Sequence, residues 1–480
     1  MGKKFIGRKK EEEILLKALV SDEAEMISVI GRRRVGKTFL IKSVYQNRIN
    51  FEITGIQNAP KNEQLRNFAN SLKAVAPLAL LAKPPADWLE AFFLLINYLK
   101  QKEQAEKLVV FFDELPWLAT HKSGFLRGLS YFWNSWAVNQ HIVVVVCGSA
   151  ASWMIQKVVN NTGGLYNRIS RRIILKPFTL AETEEYLHTK NIKLNRYHIT
   201  HLYMAMGGIP HYLKEVEQGK SAVQNIEDIC FSDTGILKDE FQKLYPALFE
   251  HADKHIAVIR ALAQKRYGMT RNDLIKATNL PNGNSVTKVL EELRQSGFIA
   301  AYLSFGKKKK NKLYRLTDEY SLFYLQFVEK YEDEGPEIWK GLSQTQVYKS
   351  WSGYAFESLC LKHIPQIKQA LGISGVYATS SSFYQKGNEH LRGVQIDLLI
   401  DRNDQIINLF EIKFYNTFFN VTKDYAKTLH EKLAIFQALT QTNKQVFMTL
   451  ITTFGLLPNK YSSELIEQTL TLDDLFRSVP

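Results

Sequence analysis

Two groups of residues in this 480-residue sequence have the types and spacing to carry chemistry. The first is Gly31-Arg32-Arg33-Arg34-Val35-Gly36-Lys37-Thr38, an instance of G-x-x-x-x-G-K-[ST]. Glycines let such a loop turn its backbone N–H groups inward around an anion. Lys37 would then neutralise the β- and γ-phosphates of ATP, and Thr38 would present its hydroxyl to Mg2+. Downstream, the apolar run Leu108-Val109-Val110-Phe111-Phe112 ends in Asp113 and Glu114. Asp113 would hold the Mg2+, directly or through water, and Glu114 would orient or deprotonate the attacking water. Taken without the loop, the two acids are an ordinary solvated strand end. A second apolar run, Ile142 to Cys147, leads to Ser149, which either touches the γ-phosphate or caps the next helical turn. Arg168, with Arg171 and Arg172 close behind, is a candidate for stabilising transition-state charge, from a neighbouring copy if subunits assemble. The competing reading is a solvated basic cluster.

The second group lies near the carboxyl terminus. Ile396-Asp397-Leu398-Leu399-Ile400 reads as a strand, Asp401 to Asp404 as a turn, and Ile406 to Phe414 as the partner strand. Alternation along a strand puts Glu411 and Lys413 on one face and Ile412 on the other. Asp397 on the paired strand can join them. Asp397 and Glu411 would make a hard-oxygen Mg2+ site, and Lys413 would help generate or stabilise an attacking hydroxide. Upstream, Gly353-Tyr354-Ala355-Phe356-Glu357 lies on a helix, from which Glu357 would complete the metal shell.

The elements that position these residues follow from apolar patterning. Ile27 to Ile30 is a strand before the glycine loop, and Thr38 to Tyr45 a helix after it. Solid apolar runs of this kind suit strands buried on both faces of a parallel sheet, so residues 1–180 read as an α/β layer structure. Residues 181–250 turn helical. Residues 251–318 read as three helices and a β-hairpin, resembling a winged helix: Ala252 to Gln264, a capped start at Thr270, an amphipathic helix from Asn284 to near Gly297, then strands Phe298 to Phe305 and Lys312 to Leu316. Between the strands, Gly306 to Asn311 is a lysine-rich tip, with Lys288 and Arg294 on the preceding helix also available to phosphates. Residues 319–350 form an aromatic connector, and residues 351–480 hold a helix, two strands, a long helix at Asp424 to Thr440 and a strand at Gln445 to Thr452.

Composition narrows the function classes. Lys and Arg outnumber Asp and Glu by 62 to 48, a formal charge of +14, which favours polyanionic partners and nucleic acid first. The three cysteines, Cys147, Cys230 and Cys360, are too far apart for a zinc motif or disulfide framework, and a reducing cytoplasm fits them. No signal peptide or bilayer-length apolar run is present, so no membrane partner is expected. His121, His201, His211 and His390 lack ligand spacing. Trp133 and Trp136 suit helix packing, and the aromatics from Tyr320 to Tyr331 suit an interdomain core.

Phe5-Ile6-Gly7-Arg8 with Glu11 or Glu12, the glycine loop, Asp113-Glu114, Gly148-Ser149, Tyr166-x-Arg168 and Gly207-Gly208-Ile209-Pro210-x-Tyr212-Leu213 occur in this order. Together they resemble the archaeal-type AAA+/STAND ATPases. The resemblance covers roughly residues 1–330 and implies that Arg8 sits at the nucleotide edge, with Lys9 standing where that family has Glu. It also implies that Arg168 is an arginine-finger candidate, that residues 180–240 form a lid, and that a winged helix follows. From about residue 351 to 455 the chain resembles the PD-(D/E)XK nuclease superfamily through Glu357, Asp397, Glu411 and Lys413 and the order helix, strand, turn, strand, helix. Many members of this ATPase family carry a decayed version of that domain. Here all four positions are filled, which favours retained metal chemistry.

The expectation is an α/β multidomain protein with a parallel-sheet ATPase core, helical lid, winged helix and restriction-endonuclease-like domain. It would use ATP and Mg2+ and bind DNA, with Mg2+-dependent DNA cleavage at its carboxyl end. A homo-oligomer or a protein partner is open. The rival is an ATP-dependent switch or scaffold that binds protein partners and carries an inactive nuclease fold.

Overall fold

The computed structural model describes residues 6–76, 83–102, 106–160, 162–307, 312–332, 334–335, 337–387 and 393–479. Phe5, His390 and the tip residues Lys308, Lys309, Lys310 and Asn311 lie outside them. The chain divides into two compact units. The first holds residues 1–177 with the short segments 247–250 and 291–296, and the second holds 178–246, 251–290 and 297–480.

The first unit is built on strands β1 (Glu25–Ile30), β2 (Ile49–Thr54), β3 (Leu108–Asp113), β4 (Ile142–Gly148) and β5 (Arg171–Ile174), in the order β2-β3-β4-β1-β5 and all parallel. Every residue of β1, β3 and β4 is buried, as expected of central strands covered on both faces. The helix Trp88–Lys100 starts at Asp87, whose side chain accepts the Glu90 N–H, and packs against Phe125–Ser135. An aromatic cluster fills the space: the Trp88 and Phe125 rings lie 4.6 Å apart, and Phe92 packs on Phe112 at 5.7 Å. Each such fully buried ring contributes about 1.5–3 kcal/mol. Trp133 and Trp136 belong to this core.

The second unit opens with helices Leu180–Thr189 and Arg196–Met206. The first is closed by a Thr179/Glu182 capping box and the second by Asn195. The turn at Gly207-Gly208 explains its glycines. Gly208 O accepts the Phe178 N–H at 2.6 Å, and a β-carbon on Gly208 would lie 2.0 Å from Phe178 O. Helices Ala252–Ala263, Arg271–Thr278 and Asn284–Gln295 (the last belonging to this unit only as far as Leu290) follow, with a small antiparallel sheet of β6 (Met269–Thr270), β7 (Ile299–Tyr302) and β8 (Leu313–Leu316) in the order β6-β8-β7. Thr270 caps its helix through a box with Asp273. In the segment read as a connector, Tyr320, Phe323, Tyr324 and Phe327 are buried, and the Phe241 and Tyr324 rings stack at 4.6 Å.

A second five-stranded sheet has the order β13-β12-β11-β10-β9, from β9 (Ala378–Gln385), β10 (Val394–Arg402), β11 (Ile406–Lys413), β12 (Gln445–Thr452) and β13 (Gln468–Thr471). Strands β9, β10 and β11 are antiparallel, whereas β11, β12 and β13 run parallel. The helix Lys423–Thr440 covers one face through Leu429 and Phe436. Two strands were expected before that helix and three are present. The missed strand, β9, is serine-rich and largely polar at its exposed positions, so it shows no apolar alternation. Cys147, Cys230 and Cys360 are free thiols, each buried. Among the described residues no helix is long and apolar enough to cross a membrane.

Candidate active sites

In the first unit the phosphate loop leaves the end of β1, where a β-carbon on Gly31 would stand 2.5 Å from Leu175 O. Arg34 and Gly36 both have positive φ, 73° and 93°, which turns successive N–H groups toward one side of the loop. The helix Lys37–Tyr45 starts at Gly36, so its N-terminal dipole points at the same place. Lys37 is buried, and its Nζ donates to Arg32 O at 3.1 Å. Strand β4 separates β1 from β3, yet Thr38 Oγ1 donates to Asp113 Oδ2 at 2.7 Å, and the Glu114 N–H donates to Asp113 Oδ1 at 3.0 Å. Hard oxygen donors thus meet at the strand end, a donor set that fits Mg2+.

Glu114 is a non-glycine residue in the left-handed region, with φ 46° and ψ 51°. Strain of about 1–3 kcal/mol of this kind persists where neighbours over-determine it. Here Ser149 does so: its Oγ–H and N–H donate to Glu114 Oε2 at 2.8 and 3.2 Å. The following helix, Ala151–Met154, has Ala150 at its cap position, and the serine hydroxyl is engaged by the carboxylate instead. Arg8 is buried at the cap of Lys9–Leu19, with its carbonyl accepting the Glu12 N–H. The three arginines separate. Arg171 is ion-paired with Glu25 at 2.7 Å on the edge strand, while Arg168 and Arg172 are exposed.

In the second unit, β10 and β11 pair as the alternation requires, with Leu398 opposite Phe410. Lys413 Nζ bonds Glu411 Oε1 at 2.8 Å. Two residues that sequence reasoning missed complete this network. Lys432 Nζ donates to Glu411 Oε2 at 2.7 Å, and the Tyr425 hydroxyl donates to Glu411 Oε1. Tyr425 and Lys432 lie two helical turns apart on Lys423–Thr440, so shared facing was the available signal. Asp397 Oδ1 accepts from Gln395 Nε2.

The electrostatics divide the three acids. Burial favours the neutral form of Glu411, but the Lys432 and Lys413 ammonium groups outweigh it and hold the carboxyl at about 2. Burial and the Asp397 carboxylate push Glu357 up to about 8, and burial likewise raises Asp397. Among the described residues no group of three or more His, Cys, Asp or Glu is placed to hold a metal ion. Asp397 and Glu411 remain two hard-oxygen donors of the kind Mg2+ accepts when water and phosphate fill its other positions. Of the remaining sequence candidates, Arg294 pairs with Glu291 at 2.6 Å, while Lys288, Lys307 and Lys312 are exposed. His201 contacts the Tyr348 hydroxyl.

Comparison with known proteins agrees with the first unit's geometry. Residues 5–216 match a family described as an ATPase domain predominantly from Archaea. An uncharacterised protein of Methanocaldococcus jannaschii is 23% identical over 419 residues, covering 85% of this chain and 87% of that one. An uncharacterised ATP-binding protein of the same organism is 46% identical over 44 residues, 9% of this chain and 75% of its own length. Among solved structures, a Walker-type ATPase of Pyrococcus abyssi superposes with a TM-score of 0.50 at 19% identity, over 67% of this chain and 96% of that chain, a likeness of fold. Residues 5–216 are thus similar in sequence to an archaeal ATPase domain, and the first unit has the parallel-sheet fold and phosphate loop of a P-loop ATPase.

Proposed function

We propose that this chain hydrolyses ATP with Mg2+, binds DNA through its small three-stranded module, and cleaves DNA at the Asp397–Glu411–Lys413 site. The observation that carries the reading is the meeting of Thr38 with Asp113 at 2.7 Å, beside a Glu114 carboxylate held by Ser149. Lys37 exchanges the Arg32 carbonyl for a phosphate oxygen. Thr38 and Asp113 would hold Mg2+, which supplies positive charge to the β- and γ-phosphates. Glu114 orients the attacking water and receives its proton, and Ser149 fixes that carboxylate in place. Arg168, exposed on its loop, would add charge stabilisation from a second copy, and buried Arg8 would lie at the nucleotide edge.

At the second site Asp397 and Glu411 would hold Mg2+, which would supply charge to a scissile phosphate. Lys413 stands beside them, and Glu357, uncharged at neutral pH, is placed to hold a proton at its carboxyl. The helix Asn284–Gln295 carries exposed Lys288, and Lys307 and Lys312 flank the tip between β7 and β8. Each supports salt-dependent contact with DNA phosphates.

The test is ATP turnover by the purified chain with and without duplex DNA, together with Mg2+- or Mn2+-dependent nicking by wild type and Asp397→Ala. Normal turnover by Lys37→Ala refutes the ATPase roles. Equal nicking by wild type and Asp397→Ala, or none under any nucleotide condition, refutes the nuclease role. A second reading, an ATP-driven switch with an inactive nuclease fold, is favoured by one observation: both Glu411 oxygens are already engaged by Lys413, Tyr425 and Lys432.

A further inference from the structure

The small sheet is fastened to the β9 edge of the C-terminal sheet within the second unit. Phe305 N–H donates to Ser382 O at 2.7 Å, extending a β-bridge between Ser304 and Ser382. The Phe305 ring packs 5.6 Å from Phe436, and Tyr267 stacks on Tyr384 at 6.0 Å. The Arg266 guanidinium lies 3.3 Å above the Tyr354 ring, one helical turn before Glu357. This docking brings Arg315, on β8, into the electrostatic neighbourhood of Asp397 and Glu357.

Arg315 is unlike the other cations there. Lys413 and Lys432 are bonded to Glu411, whereas the Arg315 Nε is buried and, among the described residues, meets no hydrogen-bond acceptor. Its guanidinium lies 5.9 Å from the Tyr302 ring, a contact that supplies Nε with no acceptor. A buried charged donor without an acceptor is costly and persists where a ligand supplies what is missing. The acceptor that suits a planar fork of N–H groups, beside acids that would hold a cation, is a phosphate oxygen pair.

We propose that Arg315 is the phosphate-binding cation of the Asp397–Glu411–Lys413 site, so that the small sheet and the C-terminal sheet together grip one DNA phosphodiester. This rests on the DNA-binding part of the function proposed above, and it makes Arg315 a phosphate-binding residue that β8 contributes to another module's site. Nothing in its local sequence, Leu313-Tyr314-Arg315-Leu316, separates it from a surface arginine.

The test is binding of a labelled duplex oligonucleotide to the full chain in EDTA, where no cleavage occurs, across a salt series. Arg315→Gln is expected to bind roughly tenfold more weakly, with a slope of log affinity against log salt shallower by about 1. Arg315→Lys, which keeps the charge and loses the fork, is expected to keep the slope and recover part of the affinity. Thermal melting is read on both variants. Should Arg315→Gln fail to fold, the unchanged slope with weakened affinity in Arg315→Lys carries the test. Wild-type affinity and slope in both variants overturn the proposal, as does faster Mn2+-dependent nicking by Arg315→Gln, which would make the residue a lock. If wild type binds DNA but never nicks it, the nuclease reading fails, while weaker binding by Arg315→Gln still supports the phosphate contact.

Discussion

In the proposed ATPase mechanism Glu114 and Ser149 make a separable pair, because one is assigned the proton chemistry and the other only bonds its carboxylate. Glu114→Gln keeps the side chain's shape and its acceptor for Ser149, so nucleotide binding is expected to persist while kcat falls roughly 10²-fold or more. Ser149→Ala removes one hydrogen bond and leaves the carboxylate charged. Its kcat is expected to fall about tenfold with KM little changed, as measured by steady-state phosphate release. Lys37→Ala removes the buried lysine of the loop, and turnover is expected to drop at least about 10²-fold. Equal turnover by the Glu114 and Ser149 variants would show that the two do not divide the work this way. The residues of this site were legible because each sits at the end of an apolar run that is itself legible. Arg171 was not separable from Arg168 by sequence, since its partner Glu25 lies far away in the chain and meets it only across paired strands.

At the scale of elements, the parallel strands β1, β3 and β4 could be read directly, because strands buried on both faces leave no polar position to interrupt the run. Edge strands were harder. Strand β9 is mostly polar, and β5 begins with two arginines. The helix Lys423–Thr440 was found from its pattern, yet the roles of Tyr425 and Lys432 depend on which sheet it covers. The Gly207-Gly208 turn gives a prediction at this scale. Gly208→Ala puts a β-carbon within 2.0 Å of the Phe178 carbonyl, a backbone atom that cannot swing away. Overpacking of this kind is expected to cost about 1–3 kcal/mol, read as a lower urea midpoint. An unchanged midpoint would mean that the turn has another low-energy form.

Across the whole chain, acid is expected to loosen the second unit through His363. The Leu180 N–H donates to its Nε2 at 3.2 Å and its Nδ1–H donates to Leu359 O at 2.8 Å, which fixes the neutral tautomer in a buried place. Burial, with a smaller contribution from the Lys362 ammonium, draws its pKa from 6.5 down to about 4. The folded form therefore binds the proton less readily than the unfolded one. The stabilisation is complete above the unfolded value near 6.5 and is lost as pH falls toward 4, about 3 kcal/mol in all. His363→Gln should be less stable at pH 7.5 and show a flatter pH profile of melting temperature. A profile as steep as wild type would assign the acid sensitivity elsewhere.

The buried thiols give each unit its own clock. Cys147 stands in the first unit, one residue before the strand end that leads to Ser149, and Cys230 and Cys360 stand in the second. Burial keeps all three in the unreactive thiol form, so an alkylating reagent marks each only when its surroundings open. Mass spectrometry of alkylated peptides would then time the two openings separately in one tube. Saturating Mg·ATP should slow the marking of Cys147 most.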